Sequence, residues 1–377
     1  LKPRTLALAF ALATLPCSMA HAEANLTISG PDGYLEVESR MQVVYSLPIP
    51  ANDNGTAPEA EPNEAPQEPL GTGSVRIKQA RLNLHGVYLD RFDYKLTAEL
   101  GPSHTAPLRD ARLGIRLASW LRTDIGQFKV PYSRNRLVSG EHTLFVERPA
   151  MAYQFVPGRD IGVMADLHGP NRHLRFRTGA FTGRGQNMTE DDDRNRPLLA
   201  ARLDWTSTPT SSTAHRPTTE HPRPALALGA NVAWSDDGEV GPGGPIDSID
   251  GRKLLYGTDF AAAYHRFWMS LEVNAARFTP RDTSASSYHA VGFLAQAAWF
   301  VAPLRVEPAI RYDALDPNTR TGNDRQQSVS LGLNAYPLAD VPLKLMLDYV
   351  HHLPVSETHT QGWTNDTLEV MIQFVLR

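Results

Sequence analysis

Basic side chains recur in this chain at alternating positions among apolar ones. Arg76, Arg81, Lys95, Arg112, Arg116 and Arg175 each stand between two apolar neighbours, and Lys78, Arg122 and Arg177 each follow one. A second set, Lys129, Arg134 and Arg136, clusters in a stretch without such alternation. Fixed guanidinium and ammonium groups in a water-filled space attract anions, and arginine adds a planar fork of donors that matches carboxylate and phosphate oxygens. Acids share the same positions, among them Glu36, Glu38, Asp93, Glu99, Asp110 and Asp124. Two readings therefore stay open: a weakly anion-preferring passage, or mixed charge that only keeps an interior wet, because opposed carboxylates cancel a basic field.

The elements that must hold these residues are strands. Residues 92–100 alternate apolar and polar side chains, and segments of this kind return to the C-terminus. We count about 16 such strands, the even number and period-two pattern of a transmembrane antiparallel β-barrel. They lie at 34–46, 74–88, 91–100, 108–118, 120–129, 159–168, 172–183, 197–206, 224–234, 254–264, 266–277, 288–301, 303–313, 326–337, 341–351 and 366–377. A closed barrel pairs every backbone group within lipid, with one face meeting hydrocarbon and the other water. In the segment 34–46, Leu35, Val37, Met41, Val43 and Tyr45 share one face and Glu36, Glu38, Arg40 and Gln42 the other. The phase of 74–88 reverses near Gln79–Ala80, which predicts a bulge. Aromatic residues such as Tyr45, Trp205, Trp234, Tyr264, Phe267, Trp299 and Tyr349 fall near strand ends, where girdles meet the headgroups.

Short connections alternate with long ones, as periplasmic turns alternate with extracellular loops. The exception is 207–224, a Ser, Thr and Pro-rich stretch where a short turn is expected; it is either a periplasmic insertion or a slip in strand parity. Residues 47–73 hold six prolines, five acids and no Lys or Arg, a composition that predicts a mobile outer loop. The stretch 130–158 is a candidate constriction loop.

At the N-terminus, Lys2 and Arg4 precede an apolar run, and Ala20-His21-Ala22 supplies small residues for cleavage, so 1–22 reads as an export signal and 23–377 as the barrel. The signal would take with it the only cysteine, Cys17, and leave 35 Lys and Arg against 41 Asp and Glu, which argues against a nucleic-acid partner. A mean hydropathy of −0.33 is compatible with a barrel, whose lipid face hides in alternation. No cofactor or metal is expected. His351 and His352 point to opposite faces of a strand, and Ser139, Glu141 and His142, neighbours in one loop, do not have the separated origins of a catalytic triad.

The block GQFKVPYSRNRLVSGEHTLFVERPAMAYQFVPGRDIG at 126–162 resembles the phosphate-selective porin O and P family, as do FRTGAFTGRG at 176–185 and RIKQARLNLHG at 76–86. The resemblance implies a 16-stranded outer-membrane porin, usually a homotrimer, whose long third loop folds inward to narrow the pore. It also implies small anionic or hydrophilic solutes, phosphate or polyphosphate among them, as cargo and outer-membrane lipid as surroundings. Two features depart from it: the chain ends in Arg377 with Phe374 the last aromatic, and the acidic 47–73 loop would not attract phosphate. A plugged structural or surface barrel is the alternative.

Overall fold

The computed structural model describes residues 26–49, 73–101, 107–154, 156–187, 197–208, 215, 220–236, 251–322, 324–339, 341–353 and 366–376. The export signal at 1–22 and the acidic loop beyond residue 49 lie outside the described residues.

Among the described residues, seventeen strands form one antiparallel sheet. They are β1 (Leu26–Gly30), β2 (Gly33–Ile49), β3 (Ser74–Tyr88), β4 (Phe92–Glu99), β5 (Leu108–Ala118), β6 (Leu121–Lys129), β7 (Arg159–His168), β8 (Leu174–Phe181) and β9 (Leu198–Thr206). The rest are β10 (His221–Ser235), β11 (Gly251–His265), β12 (Phe267–Pro280), β13 (Tyr288–Trp299), β14 (Val306–Asp316), β15 (Gln326–Ala335), β16 (Leu343–His352) and β17 (Asp366–Leu376). Strands β2 to β17 pair each with the next, and β17 closes on β2 from Asp366↔Ile49 to Leu376↔Ser39, giving a sealed 16-strand barrel. Strand β1 is an addition that alternation did not predict, being only five residues long. It pairs with β2 from Leu26↔Val37 to Gly30↔Gly33, just beyond the point where β17 stops. The strand expected from 303 begins instead at Val306, because Ala302 to Arg305 form a turn closed by the Val301↔Val306 bridge.

The radial pattern inverts that of a water-soluble domain. On β2, Met41 is 52% exposed while Arg40 next to it is 6% exposed. Around the cylinder Leu82, Ile125, Leu203, Val273, Leu331 and Val370 face out, and Glu99, Asp124, Arg202, Glu272, Ser330 and Glu369 face in. Hydrocarbon is the only solvent that favours the first set outside, and water or paired charge the only environment that favours the second inside. Exposed Tyr88, Trp120, Trp205, Tyr264 and Trp299 lie at the short-turn end, and Tyr45, Trp234 and Tyr349 toward the long-loop end. The Leu89–Asp90 turn shows why short connections suffice: both residues take positive φ, 53° and 52°, the twist that suits a tight hairpin.

Among the described residues the register shifts at four places, at Lys78, at Arg109, at Leu117 and between His221 and Ala225, and the first two bear on the cavity. On β3, Gln42 pairs with Gln79 but Val43 with Ile77, so Lys78 is the extra residue, close to the expected phase change. On β5, Thr97 pairs with Asp110 but Ala98 with Leu108, so Arg109 is extra. Each inserted residue turns the preceding part of its strand over.

The parity question at 207–224 resolves as an insertion: β9 pairs directly with β10 in continuous register from Ala227↔Thr206 to Trp234↔Leu199. From this insertion His215 is buried at 3% exposure, among inward-facing residues of β12 to β14.

Candidate functional site

The third long connection, 130–158, hydrogen-bonds inward side chains of strands that are not its neighbours. Arg202 donates to the Tyr132 carbonyl at 2.7 Å, and the Asn135 N–H donates to Glu272 Oε2 at 2.8 Å. Lys344 Nζ donates to the Thr143 carbonyl at 2.7 Å, Asn334 Nδ2 to the Leu144 carbonyl at 3.1 Å, and the Val146 N–H to Asp348 Oδ2 at 2.5 Å. A segment bonded to β9, β12, β15 and β16 together runs within the barrel. Its apolar side chains pack on the same arc. Leu144 and Phe145 lie against Ala225, Ala263, Trp268, Ala298 and Ala309, and Val146 lies against Val44, Met346 and Met371. The small inward alanines make that approach possible. Phe145 also rests on Gly332, where a Cβ would come within 3.0 Å of its ring, and beneath Arg311, whose Cζ is 4.5 Å from the ring centroid. The Gly126 that opens the sequence block takes φ +117°, and a side chain there would strike the Ala111 carbonyl on β5.

His215 fills the same arc. Its Nε2 lies 2.6 Å from Glu307 Oε1, and its ring meets Trp268 edge-on at 5.2 Å. Its Nδ1 lies 3.3 Å from the carbonyl of His142 in the third loop. Sequence reading missed this residue; a single histidine in a Ser, Thr and Pro-rich stretch carries no pattern that marks it.

A cavity of about 1040 Å³ lies between the loop and the wall, lined mainly by β2 to β9 and also by Ser235, Lys253, Leu255 and Phe278 of β10 to β12. Fifteen Lys and Arg side chains line it against six Asp and Glu, and further carboxylates stand just behind the lining, so its basic excess is smaller than this ratio implies. Ten of the twelve expected basic residues line this cavity. Arg116 does not: it turns to the short-turn end and donates to the Asp90 carbonyl at 2.9 Å. Arg134 does not either; its Nε reaches Asp259 on β11 at 2.5 Å and helps to hold the loop.

Most of the cavity cations are neutralised. Arg76 pairs with Glu147 at 2.9 Å and Glu369 at 3.1 Å, and Lys78 pairs with Glu147 too. Arg81 meets Glu99 at 2.6 Å, and Lys95 shares Asp110 with Arg159. Arg112 and Arg122 share Asp93 and Asp124. Arg175 pairs with Asp166 at 2.7 Å and Arg177 with Asp204 at 2.5 Å. Lys129 has no carboxylate within ion-pair distance among the described residues and donates to the carbonyls of Leu137 and Val138. Arg136 likewise meets no carboxylate and lies over the Tyr153 ring.

Three more cations without a carboxylate partner join them. Arg40 donates to Ser139 Oγ at 3.1 Å, Arg148 donates to the Asn135 and Val138 carbonyls, and Arg109 enters the cavity through its bulge. Strict alternation had placed Arg109 outward with Ala111 and Leu113, so only the bulge reveals it. In the loop, burial lowers Arg136, and it lowers Arg148 to about 10; both remain cationic at neutral pH.

A sealed antiparallel cylinder with an apolar exterior, a charged interior and a loop folded against one inner arc is an outer-membrane porin channel. The chain belongs to the phosphate-selective porin O and P family, whose sequence profile matches residues 63–376. No curated relative matches the chain. Among solved structures it is similar to an anion-selective porin from Comamonas acidovorans, at 11% identity and a TM-score of 0.59, covering 91% of this chain and 100% of that one. It is also similar to the outer membrane channel DcaP of Acinetobacter baumannii, at 14% identity and a TM-score of 0.56, covering 92% and 98%. A third is the trimer form of OmpT, an outer membrane protein of Vibrio cholerae, at 9% identity and a TM-score of 0.58, covering 91% and 99%. The protein is thus a channel of the bacterial outer membrane.

Proposed function

We propose that the channel passes small hydrophilic solutes passively and prefers anions, with its narrowest point where the 130–158 loop faces the wall carrying Arg40, Arg81 and Arg109. One observation carries the reading. Nearly all the carboxylates at the cavity are already engaged, whereas Arg40, Arg109, Lys129, Arg136 and Arg148 are not matched by one. The uncompensated field is therefore positive, and it acts where the passage is lined by low-dielectric protein. Inorganic phosphate and chloride are both within its reach. The family resemblance and the trimer form of the Vibrio cholerae OmpT structure support a homotrimer.

Reversal potentials of single channels in a potassium chloride gradient test the preference. A shift toward the chloride equilibrium potential is expected, and a shift toward the potassium potential would overturn it. Liposome swelling in sugars tests for an open lumen: a sealed response from folded protein would favour the plugged barrel. Light scattering of the detergent-solubilised protein reads the trimer.

A further inference from the structure

The cavity is not uniformly polar. Beside Arg40, Arg109 and Arg136 it is lined by loop residues Tyr153, Val156 and Pro157. Tyr153 is 45% exposed, and the Arg136 guanidinium carbon lies 5.3 Å from its ring centroid. Gly158 leaves room for that guanidinium, since a methyl group there would come within 3.2 Å of Nη2. A half-exposed aromatic ring thus stands next to a cation that has no carboxylate of its own among the described residues.

This pairing is poorly matched to an anion with oxygen on every side. Inorganic phosphate would lose hydration against the ring and against Val156 and Pro157 without gaining a hydrogen bond there. An anion with a flat apolar body loses little on that side and gains ring stacking, while its charged end meets the forked guanidinium.

We propose that Tyr153, Arg136 and Arg109 form a subsite for arenecarboxylates, anions that join a planar aromatic ring to a carboxylate. The proposal deepens the anion-channel reading and rests on it. Arg136 and Arg109 receive the carboxylate, and Tyr153 carries the ring.

Block of the chloride current by added benzoate, acetate and inorganic phosphate, measured on the full chain in planar bilayers at neutral pH, tests it. Benzoate is expected to half-block at a lower concentration than acetate or phosphate. Tyr153→Ala should raise the benzoate-to-phosphate ratio of half-blocking concentrations about five-fold, the loss of one stacking contact. Tyr153→Phe should retain the wild-type ratio, and Tyr153→Leu, which keeps apolar volume without the aromatic face, should raise it. Equal block by benzoate and acetate, or an unchanged ratio in both Tyr153→Ala and Tyr153→Leu, would overturn the subsite while leaving the anion preference standing. A cation-selective reversal potential would instead overturn the underlying reading, and the subsite with it.

Discussion

The imidazole of His215 and the carboxylate of Glu307, 92 residues apart, meet at 2.6 Å inside the barrel, both shielded from solvent. Glu307 also accepts from Asn334 Nδ2 at 3.2 Å and from the Tyr336 hydroxyl at 3.1 Å. The histidine comes from the β9–β10 insertion at the short-turn end, and its other nitrogen approaches the third loop at the His142 carbonyl. The loop is therefore met from both ends of the cylinder. His215→Ala removes one partner of a buried charged acceptor and leaves a gap against Trp268. We expect a loss of about 2 kcal/mol, read as a lower temperature for conversion of the folded to the unfolded form by gel mobility. An unchanged conversion temperature would mean that the contact contributes nothing to stability.

Phe145 fixes the loop to the opposite wall. Truncation to alanine removes a fully buried ring from between Gly332 and Arg311 and should destabilise by about 3 kcal/mol. The loop should then sample other positions, so that single-channel traces become noisier and the mean conductance changes. Traces as quiet as the wild type would show that the hydrogen bonds of Thr143, Leu144 and Val146 hold the loop without it.

Loop-holding and cavity-facing cations should separate by phenotype. Arg109→Gln and Arg136→Gln remove uncompensated charge from the cavity and are expected to lower the chloride-to-potassium permeability ratio. Arg134→Gln removes a cation engaged with Asp259, away from the cavity, and should leave that ratio near its wild-type value while lowering thermal stability. The reverse pattern would mean that the cavity is not the conducting path.

The bulge at Lys78 can be tested by removing it. In a chain lacking Lys78 the alternation runs unbroken, and Arg76 and Arg81, then four positions apart, both still face inward. No arginine is turned toward lipid; the deletion removes only the pair of Lys78 with Glu147 and its hydrogen bond to the Val146 carbonyl of the third loop, 2.7 Å long. A near-normal yield of folded, heat-resistant barrel is expected from refolding into detergent; a markedly lower yield would show that the bulge itself is needed to close the strand.

Anion preference should depend on pH in one direction. Burial lowers Arg136, and it lowers Arg148 to about 10. A base is charged below its pKa and neutral above it, so the preference should be steady around neutrality and decline as the pH rises through about 10. Reversal potentials across that range check the sign; a preference that strengthens with alkalinity would exclude these side chains as its source.

The amino-acid order by itself determined the cylinder. Strand after strand lies where the alternation put it, from Ser74–Tyr88 through Asp366–Leu376. This was readable because lipid imposes one local rule on each strand, every second residue apolar and every backbone group paired, and a local rule leaves a local trace. The bulge at Lys78 was legible for the same reason, since both halves of its strand carry clear phases. Arg109 was not, because only two residues precede the change of face at the start of β5. The division of cations into loop-holders, neutralised pairs and uncompensated charges was decided by the tertiary structure. Arg134 with Asp259, Arg76 with Glu369 and His215 with Glu307 are partners brought together by barrel closure and by a loop crossing the lumen, across 125, 293 and 92 positions of chain. No short window of sequence contains such pairs, and the field left over after they form is what gives the passage its sign.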